Sequence, residues 1–235
     1  MSTKPIPPAL EPYLRLPPEA SLILLTGTLG CSVNWLTCRF IATALSQPAS
    51  QDGNENEDDT TRPVVLISWL RDLAWWKGEV KRTTGLDITR PPSHLTFVPL
   101  LSPTNTLPTT LPLTLTAPLL ILDVPLPPSL PTLLPLRAQA HATILSTAAD
   151  IPLLSPTTTP LETSAAEFLI VAAHSARVVM GVRELETGAA RDVSGALRVT
   201  RGGGWEGDGE EVEEREMLYF VGRDGGVRVF GRGEQ

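Results

Sequence analysis

Gly27-Thr-Leu-Gly30 follows the apolar run Ser21-Leu-Ile-Leu-Leu-Thr26 and leads into a helical pattern from Ser32 to Leu45. An apolar strand, a glycine turn and a helix form the setting of a phosphate-binding loop, whose backbone N–H groups and helix N-terminus cradle phosphate oxygens. The residues that grip a nucleotide are missing from it. With Gly27 as the first glycine of G-x-x-x-x-G-K-[ST], Ser32 takes the place of the second glycine, Val33 that of the lysine and Asn34 that of the hydroxyl residue. Val33 brings no cation to the β- and γ-phosphates, and Asn34 brings no hydroxyl for Mg²⁺. No Lys occurs between Lys4 and Lys77, so no shift of register restores the motif.

Leu119-Leu-Ile-Leu-Asp123 has the form of the second nucleotide motif, four apolar residues and a carboxylate at the strand's C-terminal end, where α/β sheets place their ligands. An Asp there either holds a metal-bound water or caps the following turn. Gly27, Gly30 and Asp123 together outline a degenerate nucleotide pocket with no catalytic residue, no metal and no cofactor assigned to it. Other chemistries find less support. His94, His141 and His174 are isolated and lack the H-E-x-x-H spacing of a metal site, and no G-x-S-x-G elbow presents a nucleophilic serine. Cys31 and Cys38 would stand about 10 Å apart on a shared helix, too far for a disulfide, and are expected to be reduced core residues. Trp75 and Trp76 point about 100° apart on a helix, so one of them is free to serve a partner surface.

These residues need elements to position them, and composition bounds what the elements build. The 235 residues are 42% hydrophobic and 19% charged, enough for one sizeable core. A net charge of −7 argues against wrapping nucleic acid by bulk charge. Segments 46–62 and 206–216 hold five and seven acids with one Arg each, which leaves 14 acids and 17 bases for the rest. The folded part is therefore mildly basic. The chain's 23 prolines, against a usual share of roughly 5%, belong in connections, because proline fits neither sheet nor helix interiors. The N-terminus carries no signal-peptide pattern and no apolar run reaches about 18 residues, so the chain is expected in the cytoplasm or the nucleus, away from membranes.

Buried strands are expected at 21–26, 63–68, 119–123 and 142–146 and a further short strand at 95–100, with helices over 32–45, from Leu73 through Trp76 to Val80, and around Leu133 to His141. Thr159-Pro160-Leu161-Glu162 is a helix start, with Thr at the N-cap, Pro first and Glu three residues after the cap. After Arg177 only strands follow, at 178–183, 196–200, 217–221 and 227–230, the last two joined by the hairpin signal Gly222-Arg-Asp-Gly-Gly226. The pattern predicts an α/β fold: three layers around a mostly parallel sheet, with antiparallel C-terminal strands. One domain over 1–235 is expected, interrupted by loops at 46–62, 102–118 and 202–216 whose composition reads as mobile.

Four segments, Leu16–Leu36, Val64–Asp72, Leu185–Gly195 and Leu218–Phe230, resemble the sixth subunit of the Elongator complex, a family with the RecA-like ATPase fold and eroded ATPase motifs. The resemblance runs from about Leu14 to Arg232, outside the three insertions. After Ser68 come Trp69 and Leu70, so the Glu that recombinase-type ATPases carry near there is absent as well.

The resemblance implies a pseudo-ATPase that builds a hetero-hexameric ring with the fourth and fifth Elongator subunits. Such a ring binds tRNA and supports wobble-uridine modification by the larger assembly. Arg198 and Arg201 look similar to the residues that reach a neighbour's nucleotide in related rings, while Arg183 and Arg191 are candidates to face RNA. Two alternatives stay open: an active RecA-type ATPase with an atypical phosphate loop, and a recombination-associated paralogue that binds DNA.

Overall fold

The computed structural model describes residues 3–46, 62–89, 94–102, 107–111, 117–124, 130–154, 159–185, 188, 190–207 and 212–231. In chain order the elements are α1 (Glu11–Leu14), β1 (Leu22–Gly27), α2 (Asn34–Ser46), β2 (Val64–Ser68), α3 (Leu73–Thr84), β3 (Leu95–Pro99) and β4 (Leu119–Asp123). There follow α4 (Leu130–Arg137), β5 (Ala142–Ala148), α5 (Ile151–Leu154), α6 (Pro160–Ser175), β6 (Val178–Arg183), β7 (Gly195–Arg201), β8 (Arg215–Val221) and β9 (Val227–Phe230).

All nine strands join one sheet in the order β3-β2-β4-β5-β1-β6-β7-β8-β9. From β3 to β6 neighbours run parallel, and from β6 to β9 antiparallel. Every residue of β2 and β4 is buried, because helices cover both faces there. One core gathers Leu36 and Phe40 of α2 and Trp76 and Val80 of α3 on one face, and continues under Leu197, Met217 and Tyr219 of the antiparallel strands. The other gathers Leu133 and Leu136 of α4 with Phe168 and Ala172 of α6. Each large aliphatic or aromatic side chain so buried contributes about 1.5–3 kcal/mol. The three-layer α/β architecture expected from the sequence is the one observed.

Several boundaries and surroundings depart from expectation. Helix α2 starts at Asn34 rather than Ser32, leaving Cys31 in the loop before it, so the two cysteines share no helix; both are buried and unpaired by a disulfide. Nor is α2 covered by sheet on one face only. Its Arg39 is buried and donates to the carbonyls of Lys4 and Pro5 at 3.1 Å, so the proline-rich N-terminal segment straps the helix from outside. That strap is anchored where Lys4 Nζ donates to the carbonyls of Arg82 (2.9 Å) and Asp224 (2.6 Å). The helix after β4 runs over Leu130–Arg137 with Pro135 inside it, earlier than the stretch to His141, and β8 begins at Arg215, inside the third expected insertion.

Of the three insertions, 46–62 lies almost wholly outside the described residues. The described parts of the other two are docked rather than loose. Leu107 and Leu111 pack into the second core, and Gln139 holds the backbone of Thr109 and Leu111. The amides of Gly202, Gly203 and Gly204 donate to the carbonyls of Arg177, Ala173 and Ala176, closing the end of α6. Composition alone argues for mobility; these backbone bonds and buried leucines decide otherwise. The helix start at Thr159 is as the sequence predicts: Thr159 and Glu162 form a complete capping box.

Candidate functional site

Parallel strands end together, and their ends make a cleft. Register places Ser68 of β2 beside Asp123 of β4, and Asp123 beside Ser146 of β5, at the carboxyl edge of the sheet. Loop 27–34 after β1 walls the cleft opposite Leu70, Arg71 and Val124, with Ser146, Thr147, Ala148 and Asp150 at its base, enclosing about 430 Å³. Gly27, Gly30 and Asp123 therefore line one cleft.

Asp123 is 2% exposed and both its oxygens are occupied. Arg71 Nη1 stands 2.9 Å from each, and Ser68 Oγ donates to Oδ2 at 2.7 Å. Ser68 has a second task. Its Oγ accepts from the amides of Leu70 (3.3 Å) and Arg71 (3.0 Å), folding the turn that aims Arg71 at Asp123. Asp72 then caps α3 by accepting from Trp75 N at 2.7 Å, so the arginine sits between a tied turn and a capped helix. From the outside, Trp75 stacks on it with the guanidinium carbon 4.6 Å from the ring. Trp75 is 38% exposed while its neighbour Trp76 is fully buried, packed edge-on against it. The exposed tryptophan thus serves the rim of the cleft.

Four amides of the loop are bonded within the chain. Thr28 N donates to the Val182 carbonyl (3.2 Å), Leu29 N to Asp150 Oδ1 (2.6 Å), Cys31 N to the Thr28 carbonyl (2.8 Å) and Asn34 N to Ser32 Oγ (3.2 Å). These are the kind of groups a working phosphate loop turns toward oxygens of its ligand. A Cβ on Gly27 would lie 2.5 Å from the Cys31 carbonyl, and Gly30 adopts φ +86°, so both glycines are required by the tightness of the turn. Val33, standing where the lysine belongs, is 6% exposed and part of the first core. The hydroxyl of Thr147, beside the cleft, is buried with no hydrogen-bond partner among the described residues.

Burial pushes the Cys38 thiol up to about 12, so it stays protonated and unreactive at neutral pH. The nearest approach to a switchable group, His141, has its pKa lowered by burial and by the Arg62 charge, and its Nε2 lies 3.0 Å from the Pro17 carbonyl. It lies just before β5. Among the described residues no three His, Cys, Asp or Glu come together as metal ligands, and no helix is long and apolar enough to cross a membrane.

None of the four arginines singled out in the sequence lines the cleft. Arg183 ends β6 and pairs with Glu216 of β8 at 3.2 Å. Arg191 and Arg198 are exposed. Arg201 turns into its own loop: its guanidinium stacks on Trp205 at 4.2 Å and its Nε donates to the Val212 carbonyl at 3.1 Å. Sequence reasoning missed Arg71, Ser68 and Asp150. The only local signal was that Ser68, like Asp123, is the last residue of an apolar run; what fills the cleft depends on how strands far apart in the chain align.

No family model and no curated protein matches the chain. Among solved structures it is similar to a KaiC-like protein from the hyperthermophilic archaeon Pyrococcus horikoshii OT3, with a TM-score of 0.53 and 14% identity over 97% of this chain and 98% of that one. At that identity the likeness speaks to the fold alone. Together with the strand order and the antiparallel C-terminal extension, it assigns the chain a RecA-like α/β fold.

Proposed function

We propose that this chain is a non-catalytic, RecA-like subunit of the Elongator complex, a builder of the hetero-hexameric ring that binds tRNA for wobble-uridine modification. The observation that carries the non-catalytic part is the closed state of Asp123. A carboxylate already held by Arg71 and Ser68 cannot hold a metal-bound water without giving up a partly buried ion pair. Val33, buried where a lysine would reach the phosphates, points the same way. The ring and its RNA rest on the resemblance of segments 16–36, 64–72, 185–195 and 218–230 to that family.

In this reading the partners are the fourth and fifth Elongator subunits and, through the ring, the larger assembly and tRNA, in the cytoplasm or nucleus. Of the two arginines on β7, Arg198 is the one to reach a neighbouring subunit, because Arg201 is engaged by Trp205 and Val212. Co-expression with the two partner subunits, followed by the native mass of the product, tests the assignment. A discrete hexamer with two copies of each chain is expected, and self-association or aggregation when the chain is expressed alone, since interfaces of about 1,200–2,000 Å² leave apolar surface on a lone subunit. A monodisperse monomer indifferent to both partners overturns it.

A further inference from the structure

Two carboxylates meet the phosphate loop from the strands on either side of it. β5 and β6 both pair with β1, and the chain beyond each ends in an acid that touches the turn after β1. Asp150, past the end of β5, accepts from Leu29 N at 2.6 Å. Glu184, just past the end of β6, lies against Gly30 so closely that a side chain there would collide with its carboxylate. Among the described residues no cation pairs with Asp150, whereas the other acid lining the cleft, Asp123, is neutralised by Arg71; Glu184 stands behind the loop at Gly30 and does not line the cleft. The cleft that in a nucleotide-binding relative of this fold would receive anions therefore supplies its own.

We propose that Asp150, assisted by Glu184, is a built-in substitute for phosphate: its oxygen holds the loop closed through the Leu29 amide, and the two charges keep nucleotide phosphate out. The physical basis is double. A charged acceptor on a backbone amide makes a short, strong bond, as a bound phosphate oxygen does. An approaching polyphosphate meets like charge at close range with no lysine to offset it. The loop then has one shape whether or not nucleotide is present, which suits a subunit that builds a ring without turning over ATP. The proposal rests on the non-catalytic reading above.

The test is hydrogen exchange over residues 22–36 of the full chain for the wild type, Asp150→Ala, Asp150→Asn and, as a control, Glu167→Gln on the outer side of α6. In Asp150→Ala the loop is expected to exchange about 10- to 100-fold faster. Asp150→Asn, whose amide oxygen still accepts, should fall between, and Glu167→Gln should match the wild type. Unchanged loop exchange in both Asp150 variants overturns the proposal and leaves the non-catalytic reading standing. Protection of the wild-type loop by Mg²⁺ and ATP overturns the exclusion half of the proposal, because nucleotide then enters the cleft, whereas phosphate release from ATP that depends on Asp123 overturns the non-catalytic reading instead. Inorganic tripolyphosphate at low ionic strength probes the charge: the Asp150→Asn/Glu184→Gln double variant should bind it at least about tenfold more tightly than the wild type. Equal binding, or none to either, overturns the exclusion half of the proposal.

Discussion

Arg71 Nη1 lies 2.9 Å from both carboxylate oxygens of Asp123, a residue 52 positions later in the chain. The pairing converts the residue best placed to hold a metal-bound water into one half of an internal ion pair. It also links the turn after β2 to the end of β4, so the edge of the cleft is braced where a ligand would otherwise brace it.

Breaking that pair leaves a partly buried guanidinium without its counter-ion. Asp123→Asn should cost about 2 kcal/mol, less than the full penalty for a buried pair because about a quarter of the Arg71 side chain still reaches water. Equilibrium denaturation measures the loss. The double change Arg71→Met/Asp123→Leu should recover more than half of it, since apolar groups of similar size need no partner. A double variant as unstable as Asp123→Asn would place the cost elsewhere.

Restoring the two missing motif residues should not restore the activity. Val33→Lys with Asn34→Thr introduces an ammonium at a position buried in the first core, while Asp123 remains held by Arg71. Phosphate release from ATP should stay at background and stability should fall by about 2 kcal/mol. Turnover that depends on Asp123 would show that the cleft opens more readily than its hydrogen bonds imply.

Arginines that are weak binders one at a time add up around a ring. In the proposed ring, replacing Arg183 and Arg191 together by Ala should lower tRNA affinity and flatten its salt dependence, because a ring that neutralises fewer phosphates releases fewer counterions on binding. Assembly should persist, although Arg183 also gives up its half-buried pair with Glu216, worth about 1 kcal/mol after solvent screening. An intact ring with unchanged affinity and salt slope would remove these residues from the RNA; failure of the ring to assemble would make them interface residues.

Acid should act in part through His141. Burial, reinforced by Arg62, lowers its pKa in the folded chain below the usual 6.5. The unfolded chain then binds the proton more readily, so stability falls as pH drops below about 6.5 and the loss is complete once pH is under the folded value. The melting temperature should decline over this window in the wild type and decline less in His141→Gln. Parallel curves for the two would assign the acid sensitivity to other groups.

Much of the molecule was legible from neighbours along the chain. The apolar runs at 22–27, 64–68 and 119–123 identify buried strands because a strand covered on both faces needs no polar alternation. Thr159 and Glu162 announce a helix start because a capping box is complete within four residues. The missing lysine at Val33 was legible for the same reason: a phosphate loop is a local motif, and its absence is as local as its presence.

Within the described residues, proline and glycine content does not prevent docking. Leu111 is buried in a segment rich in Pro and Thr, and three successive glycines bind the end of α6. Composition reports which backbone shapes are available to a segment, while docking depends on the surface it meets.

What closes the cleft could be decided only by the tertiary structure. Arg71 reaches Asp123 because β2 and β4 pair in a register that aligns Ser68 with Asp123, and Asp150 reaches Leu29 because β5 runs beside β1 although 121 residues separate the two. Nothing within a few positions of Asp150 distinguishes it from any acid after a strand. Strand order and register are collective outcomes of burying two cores, so the partners of a charged side chain at the sheet's edge are set by the whole sheet and not by its own segment.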